Sequence, residues 1–268
     1  MATKIVVAGC CGRMGQRIGV LALADAAAFQ LAGGLEARGH DAIGQDLGTL
    51  IAGKPIGVRV TDQLDDALRA GEVLIDFTQP EATLEHLQAA VRLKKAMVIG
   101  TTGLTDAQRA QIEQAAAAIP VVYSPNMSVG VNVLFELVEL AAKRLGLAYD
   151  VEVVEAHHKM KKDSPSGTAK RLVEGVARGR QQPPASVPTH AIRAGDIVGD
   201  HTVVFAGVAE RLELTHRAQS RDVFAQGALR AAQFAAGQQP GLYDMSHVLQ
   251  GLLEGAPHAR HPQRAAAA

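Results

Sequence analysis

Two histidines and three lysines crowd into six consecutive positions, His157-His158-Lys159-Met160-Lys161-Lys162. Asp163-Ser164-Pro165 follows, then Ser166-Gly167-Thr168-Ala169, which reads as a proline-containing loop opening a helix. So many cations at the end of a strand-like run suit a small ligand with more than one negative charge. Free N–H groups at Gly167 and Thr168 can hold a carboxylate as a helix N-terminus holds a phosphate. Imidazole titrates near neutrality and suits proton transfer. A lysine stays cationic unless buried, and suits binding an anion and supplying a proton. A lysine run on its own is equally the mark of a solvated surface, and paired histidines can ligate a metal. No Cys, Asp or Glu stands at a convincing ligand spacing, so no metal is expected.

A second group of residues points to a nucleotide. Gly9-Cys10-Cys11-Gly12-Arg13-Met14-Gly15 follows a short apolar run, Lys4–Ala8, and opens a helical pattern. In this GxxGxxG spacing the first glycine permits a tight turn, the second lets backbone approach a pyrophosphate, and the third lets helix and strand pack closely. The helix start offers N–H groups and the positive end of its dipole. Glu36 ends the second strand-like run, 21 positions after Gly15, where a carboxylate can accept from ribose hydroxyls. Gly100-Thr101-Thr102-Gly103 and Ser124-Pro125-Asn126-Met127 each follow a later apolar run. Loops at the carboxyl ends of parallel strands face the ligand, so both are expected at the same site. Cys10 and Cys11 are the chain's two cysteines. Adjacent and inside the loop, they read as small residues of a turn rather than a disulfide framework.

The elements that must position these groups follow from periodicity. Apolar runs at Lys4–Ala8, Phe29–Glu36, Glu72–Phe77, Ala96–Gly100 and Pro120–Ser124 read as buried strands, with a short one at Val58 and Val60. Helical spacing covers Arg13–Ala28, Asp65–Arg69, Glu81–Leu93 and Thr105–Ala118. The alternation predicts a doubly wound, Rossmann-like parallel sheet. Val129–Leu145 is a long helix leading out of it. Tyr149–Ala156, Thr189–Val198, His201–Ala206 and Arg211–Ala218 are strand-like and predict a second, α+β unit with an open mixed sheet. Phe224–Ala236 is helical, Arg178–Pro188 a loop, and Gly255–Ala268 a frayed tail. The expected domains are a dinucleotide unit at 1–127, with 238–268 returning to it, and a substrate and oligomerisation unit at 128–237.

Composition limits the alternatives. The 268 residues carry 27 basic and 27 acidic side chains, so the net charge is zero and no basic field for nucleic acid exists. No apolar run reaches the roughly 18 residues that a membrane span needs. With no charged leader ahead of the first strand, the expected location is the cytoplasm.

The stretch EAHHKMKKDSPSGTA from Glu155 resembles the signature of the dihydrodipicolinate reductase family. GCCGRMG, GTTG, PNMSVGVN, RAGDIVGDHTVVF and ERLELTHRAQSR resemble further motifs of that family, in its order, from residue 4 to about 251. The resemblance implies reduction of a cyclic dicarboxylate, 4-hydroxy-tetrahydrodipicolinate, by NADH or NADPH with loss of water, in the diaminopimelate route to lysine. It implies His157 as proton donor and acceptor, Lys161 as proton donor, His158 as a substrate contact, and Gly167-Thr168 as the carboxylate-holding turn. It assigns Gly9 to Met14, Glu36, Gly100 to Thr102 and Ser124 to Met127 to the cofactor, and implies a homotetramer built around the second sheet. One position departs from the pattern: the residue after Glu36 is Ala37, not a base, and Arg38 is displaced by one. NADH is therefore expected to serve at least as well as NADPH. His157 and Lys161 lie too far apart on a continuous strand for one ring to meet both, so a turn is expected around Lys159–Asp163.

Overall fold

The computed structural model describes residues 1–254; the tail reading for 255–268 lies outside the described residues. In chain order the elements are β1 (Thr3–Ala8), α1 (Arg13–Ala24), β2 (Phe29–Leu35), α2 (Leu47–Ala52), β3 (Val60–Thr61), α3 (Leu64–Ala70), β4 (Val73–Asp76), α4 (Pro80–Leu93), β5 (Ala96–Ile99), α5 (Asp106–Ala116) and β6 (Pro120–Tyr123). They continue with α6 (Val129–Leu145), β7 (Asp150–His157), α7 (Gly167–Arg180), β8 (Thr189–Arg193), β9 (Gly199–Ala206), β10 (Arg211–Ala218), α8 (Asp222–Ala236), β11 (Gly241–Tyr243) and α9 (Met245–Glu254).

Seven strands form one sheet in the order β11-β6-β5-β4-β1-β2-β3, and every pair in it is parallel. Its central strands are apolar on both faces, as helices on both sides require. The second sheet, β10-β9-β7-β8, is mixed: β7 runs parallel to β8 and antiparallel to β9. The expected α/β architecture, a Rossmann-like parallel sheet followed by a smaller mixed one, is the one observed.

Three elements were not legible: α2, β11 and α9. The last two bring the chain back to the first sheet, where β11 adds an edge strand beside β6. Other boundaries differ locally. Helix α1 stops at Ala24, four residues early, and α7 runs through to Arg180, into the expected loop. Strand β8 ends at Arg193 rather than Val198, because a turn with Gly195 at φ +50° intervenes.

Helix α8 packs back on the first sheet. Its small buried face, Ala225, Ala228, Ala231, Ala232 and Ala235, belongs to the apolar core under β1, β4 and β5. Small side chains let it approach closely: a Cβ on Gly227 would lie 1.7 Å from the Met127 carbonyl oxygen. Arg17 of α1 holds the start of α8 through a paired contact to Asp222 at 2.6 and 2.7 Å.

The inner face of the second sheet is covered by α6 and α7. Val151 and Val153 of β7 and Val203 and Phe205 of β9 pack there against Val131, Leu134, Phe135, Val138, Leu172 and Val176. Fully burying one such side chain is worth roughly 1.5–3 kcal/mol. The alternation of β7 and β9 then carries the same inner face on to Glu155, His157, Gly199 and His201.

Gly227→Ala should cost at least about 1–3 kcal/mol, the usual range for overpacking, since backbone sits where the new methyl group would go. Urea unfolding measures this. An unchanged midpoint would mean that α8 does not lie this close to the crossover.

Candidate active site

Where the inner face turns polar, α6 and α7 both begin. Ser128 and Ser166 are their N-caps, accepting from Val131 N–H and Ala169 N–H. Beside Ser166 lies Glu155, whose side chain has no exposed surface. One oxygen accepts from Arg193 at 2.8 Å and from Ser166 N–H at 3.2 Å. The other accepts from Arg193 at 2.9 Å and meets Nδ1 of His157. Burial pushes the Glu155 carboxyl up, but Arg193, His157 and Ser166 outweigh it and hold it below the usual range.

Burial also lowers His157, more than Glu155 raises it, and the nearby cations Lys161 and Arg193 act in the same direction as burial. The ring is therefore neutral near pH 7. With Nδ1–H given to the carboxylate, Nε2 carries the free lone pair. That atom faces Gly199, where a Cβ would lie 3.2 Å from it.

After His157 the strand ends. Lys159 and Met160 form a turn, closed by Lys161 N–H donating to the His158 carbonyl at 3.1 Å. The turn expected from the His157–Lys161 spacing is thus present. The Lys161 ammonium meets Asp163 at 2.8 Å and is about three-quarters buried. His158 is half-buried beside it. Gly167 and Thr168 form the first turn of α7, and Thr168 Oγ1 accepts from Asn126 Nδ2 at 3.0 Å. The crossover Ser124–Met127 is thereby brought to the His157 segment. Ser124 and Met127 are buried, and Ser124 Oγ donates to the Asn126 carbonyl at 2.8 Å. Pro125 is exposed.

The glycine loop has the expected geometry. Gly9 sits at φ +62°, and a Cβ on Gly15 would lie 2.1 Å from the Gly9 carbonyl oxygen. Glu36 reaches back to the loop and accepts Cys11 N–H at 2.8 Å. Cys10 is buried and its thiol is pushed far up by burial, while Cys11 is half-buried. Gly9, Cys11, Gly12, Glu36, Arg38 and Thr78 are among the residues lining a cavity of about 770 Å³. Arg13 is exposed and Met14 packs on the core. Arg38 lines this cavity together with Glu36. The strand stops at Leu35, and a turn closed by His40 N–H to the Ala37 carbonyl re-aims the chain.

Thr101 is turned inward. With Thr78 and Thr83 it donates to one oxygen of the fully buried Asp76, at 3.2, 2.7 and 3.2 Å. His86 meets the other oxygen at 2.6 Å. Burial raises this carboxyl, but His86 and Thr78 prevail and lower it. The network ties the loops after β4 and β5 together. Gly100 is compelled by the same packing, since a Cβ there would meet the Phe77 ring at 2.2 Å. Thr102 is exposed.

Residues 3–127 match the family described as dihydrodipicolinate reductase, N-terminus, and residues 130–249 its C-terminus. The chain belongs to the dihydrodipicolinate reductase family. It is 50% identical over 264 residues to a 4-hydroxy-tetrahydrodipicolinate reductase of Anaeromyxobacter dehalogenans, covering 92% of this chain and 97% of that one. Against the protein of the same name from Syntrophotalea carbinolica it is 48% identical, covering 92% and 98%. Among solved structures, a dipicolinate-bound dihydrodipicolinate reductase from Paenisporosarcina sp. TG-14 superposes with a TM-score of 0.72 at 24% identity, covering 91% of this chain and 98% of that one. An amine dehydrogenase from Mycobacterium smegmatis shares the fold at a TM-score of 0.61 and 11% identity, covering 90% and 94%. As a family member the chain is an oxidoreductase.

Sequence reasoning gave no role to Glu155, Arg193, His201, Asp76 or His86. Only Glu155 had a local signal, two positions from His157 on a strand and so on the same face. Strand pairing also brings Glu155, His157 and His201 within 4.8 Å, a grouping that linear spacing hid. Both Glu155 oxygens are already engaged, so a cation there would have to displace the Arg193 guanidinium.

Asp76 has a depressed pKa in the folded chain, so its stabilisation is complete above its ordinary value of about 4 and is lost as pH falls below that. Asp76→Asn should cost roughly 3 kcal/mol at pH 7, the scale for breaking a buried pair. The gap to wild type should narrow below pH ~4. A gap that stays constant down to acid unfolding would show that the partners of Asp76 do not stabilise its ionised form.

Proposed function

We propose that the chain reduces 4-hydroxy-tetrahydrodipicolinate to tetrahydrodipicolinate with loss of water, using NADH or NADPH, in lysine biosynthesis through diaminopimelate. One observation carries the residue roles: a neutral, buried His157 with a bare Nε2 lies on the same wall as a helix start, Gly167-Thr168, and beside Lys161. The glycine loop, Glu36 and the cavity between them fit a dinucleotide, whose pyrophosphate needs the Cβ-free approach that Gly9, Gly12 and Gly15 provide. When bound, the nicotinamide supplies hydride.

The protein's own residues do the rest. Gly167 and Thr168 N–H groups, at the positive end of α7, hold one substrate carboxylate, and His158 and Lys161 face the rest of the dianion. Nε2 of neutral His157 accepts a proton during loss of water. Anionic substrate offsets Lys161 and Arg193, which raises the imidazole pKa and favours the protonated ring. Lys161 supplies the proton with which the hydroxyl leaves as water, and protonated His157 returns its proton to the carbon next to the reduced one. A dinucleotide-sensing protein without turnover would have no use for this acid/base group.

We read residues 1–127 as the dinucleotide unit and the middle of the chain as the substrate and oligomerisation unit. The packing of α8 on the first sheet favours a return that begins near Asp222, ahead of residue 238. The outer face of the second sheet, with Ile192 exposed and Thr202 bonded to Thr215 at 3.0 Å, is the surface we assign to a homotetramer. None of the described helices is long and apolar enough to cross a membrane. A cytoplasmic location is part of the same reading.

His157→Ala and Lys161→Ala should each lower kcat by roughly 10²–10⁴, the scale of lost general acid–base catalysis, with cofactor affinity unchanged. A coupled assay fed by dihydrodipicolinate synthase checks this, and near-normal kcat in either variant would remove that residue's role.

Cofactor choice turns on residues 36 to 38. Ala37 offers no charge to a 2′-phosphate, but Arg38 lines the same cavity as Glu36. Dual use is proposed, with NADH at least as good by kcat/KM. Arg38→Ala should lower kcat/KM for NADPH about tenfold or more relative to NADH, the worth of one charged hydrogen bond. Equal loss with both cofactors would place Arg38 away from the phosphate.

A further inference from the structure

Strand pairing sets a polar row across the second sheet: Glu155 lies opposite His201, and His201 opposite His216. Each of these histidines meets an N-cap serine through Nε2, His201 with Ser166 Oγ at 3.3 Å and His216 with Ser128 Oγ at 3.2 Å. His201 is 3% exposed, and its ring stands edge-on to His157 with centroids 5.1 Å apart. Ser166 is also bonded through its N–H to Glu155. One imidazole thus touches the proton-transfer ring on one side and, on the other, the residue that starts the carboxylate-holding turn.

The charge state of His201 follows from its surroundings. Burial, His157, His216 and Lys161 all disfavour a cation, against Glu155 alone in favour, and its pKa is pushed down to about 3. Its Nδ1 is buried with no partner. A proton there would be an orphaned donor, which costs more than a bare nitrogen. The neutral ring therefore keeps its proton on Nε2 and donates it to Ser166 Oγ.

We infer that His201 is a positioning residue for the reaction: as a neutral donor it ties the start of α7 to His157, fixing the carboxylate cradle relative to the proton-transfer group. This rests on the reading of His157 and Gly167-Thr168 above. In this role it need neither touch substrate nor transfer a proton.

The length of the side chain supplies the test. Glutamine can place an N–H near the Nε2 position, and asparagine is too short. His201→Asn should raise substrate KM about tenfold, the upper worth of one neutral hydrogen bond, and lower kcat, while KM for NADH stays within about twofold. His201→Gln should recover substrate KM to within about threefold of wild type. NADH binding to each purified variant confirms that it is folded. A double variant, His201→Asn with Ser166→Ala, should be little worse than His201→Asn alone. The inference fails if His201→Asn has wild-type kinetics, or if Gln and Asn variants are equally impaired. Failure of the underlying reading is distinct: there His157→Ala would itself stay active.

Discussion

Everything at the candidate active site leans on one buried carboxylate. Glu155 is fully buried where the inner sheet face passes from apolar to polar, and an ionised carboxylate there costs several kcal/mol unless it is paired and fully hydrogen-bonded. Arg193 pairs with it from the neighbouring strand, Ser166 N–H from the start of α7, and His157 from its own strand. Each partner is thereby fixed by the same charge. Arg193 locks β8 to β7, Ser166 locks the helix start, and His157 is locked in one tautomer.

The sheet's pleat explains why this arrangement coincides with the site. Residues 151, 153, 155 and 157 share one face, and the first two fill the core beneath α6 and α7. Beyond the helix starts no apolar cover remains, so the next two positions can be polar. The helix starts supply N–H groups and caps at that level. Apolar core, helix start and His157 are successive storeys of one wall. On the other sheet Asp76 does comparable work, gathering Thr78, Thr83, Thr101 and His86 so that the loops after β4 and β5 share one anchor.

How much of this was readable in the sequence depends on range. The glycine loop was legible because its constraint is local: backbone must approach backbone at Gly9 and Gly15, and no side chain is tolerated. The parallel sheet was legible because strands buried on both faces are continuously apolar. The turn after His157 followed from distance alone. Arg193 and His201 were not legible, because strand register, not proximity in sequence, puts them beside Glu155. Thr101 was expected at the cofactor, but a carboxylate 25 positions away draws its hydroxyl inward. Arg38 was read as displaced by one from the position after Glu36, a reading that assumes extended chain; the strand stops at Leu35, and Arg38 lines the same cavity as Glu36. Strand β11 is three residues long and carries no alternation to read.

The central claim is that burial keeps His157 neutral while Glu155 keeps its proton on Nδ1, leaving Nε2 as the free ring nitrogen. Nitrogen-15 NMR of the imidazole across pH tests this most directly. The account predicts the Nδ1–H tautomer near pH 7, a midpoint below the ordinary histidine value of about 6.5, and an upward move when a dicarboxylate ligand binds. An Nε2–H tautomer, or a midpoint above that value in the free enzyme, would contradict it.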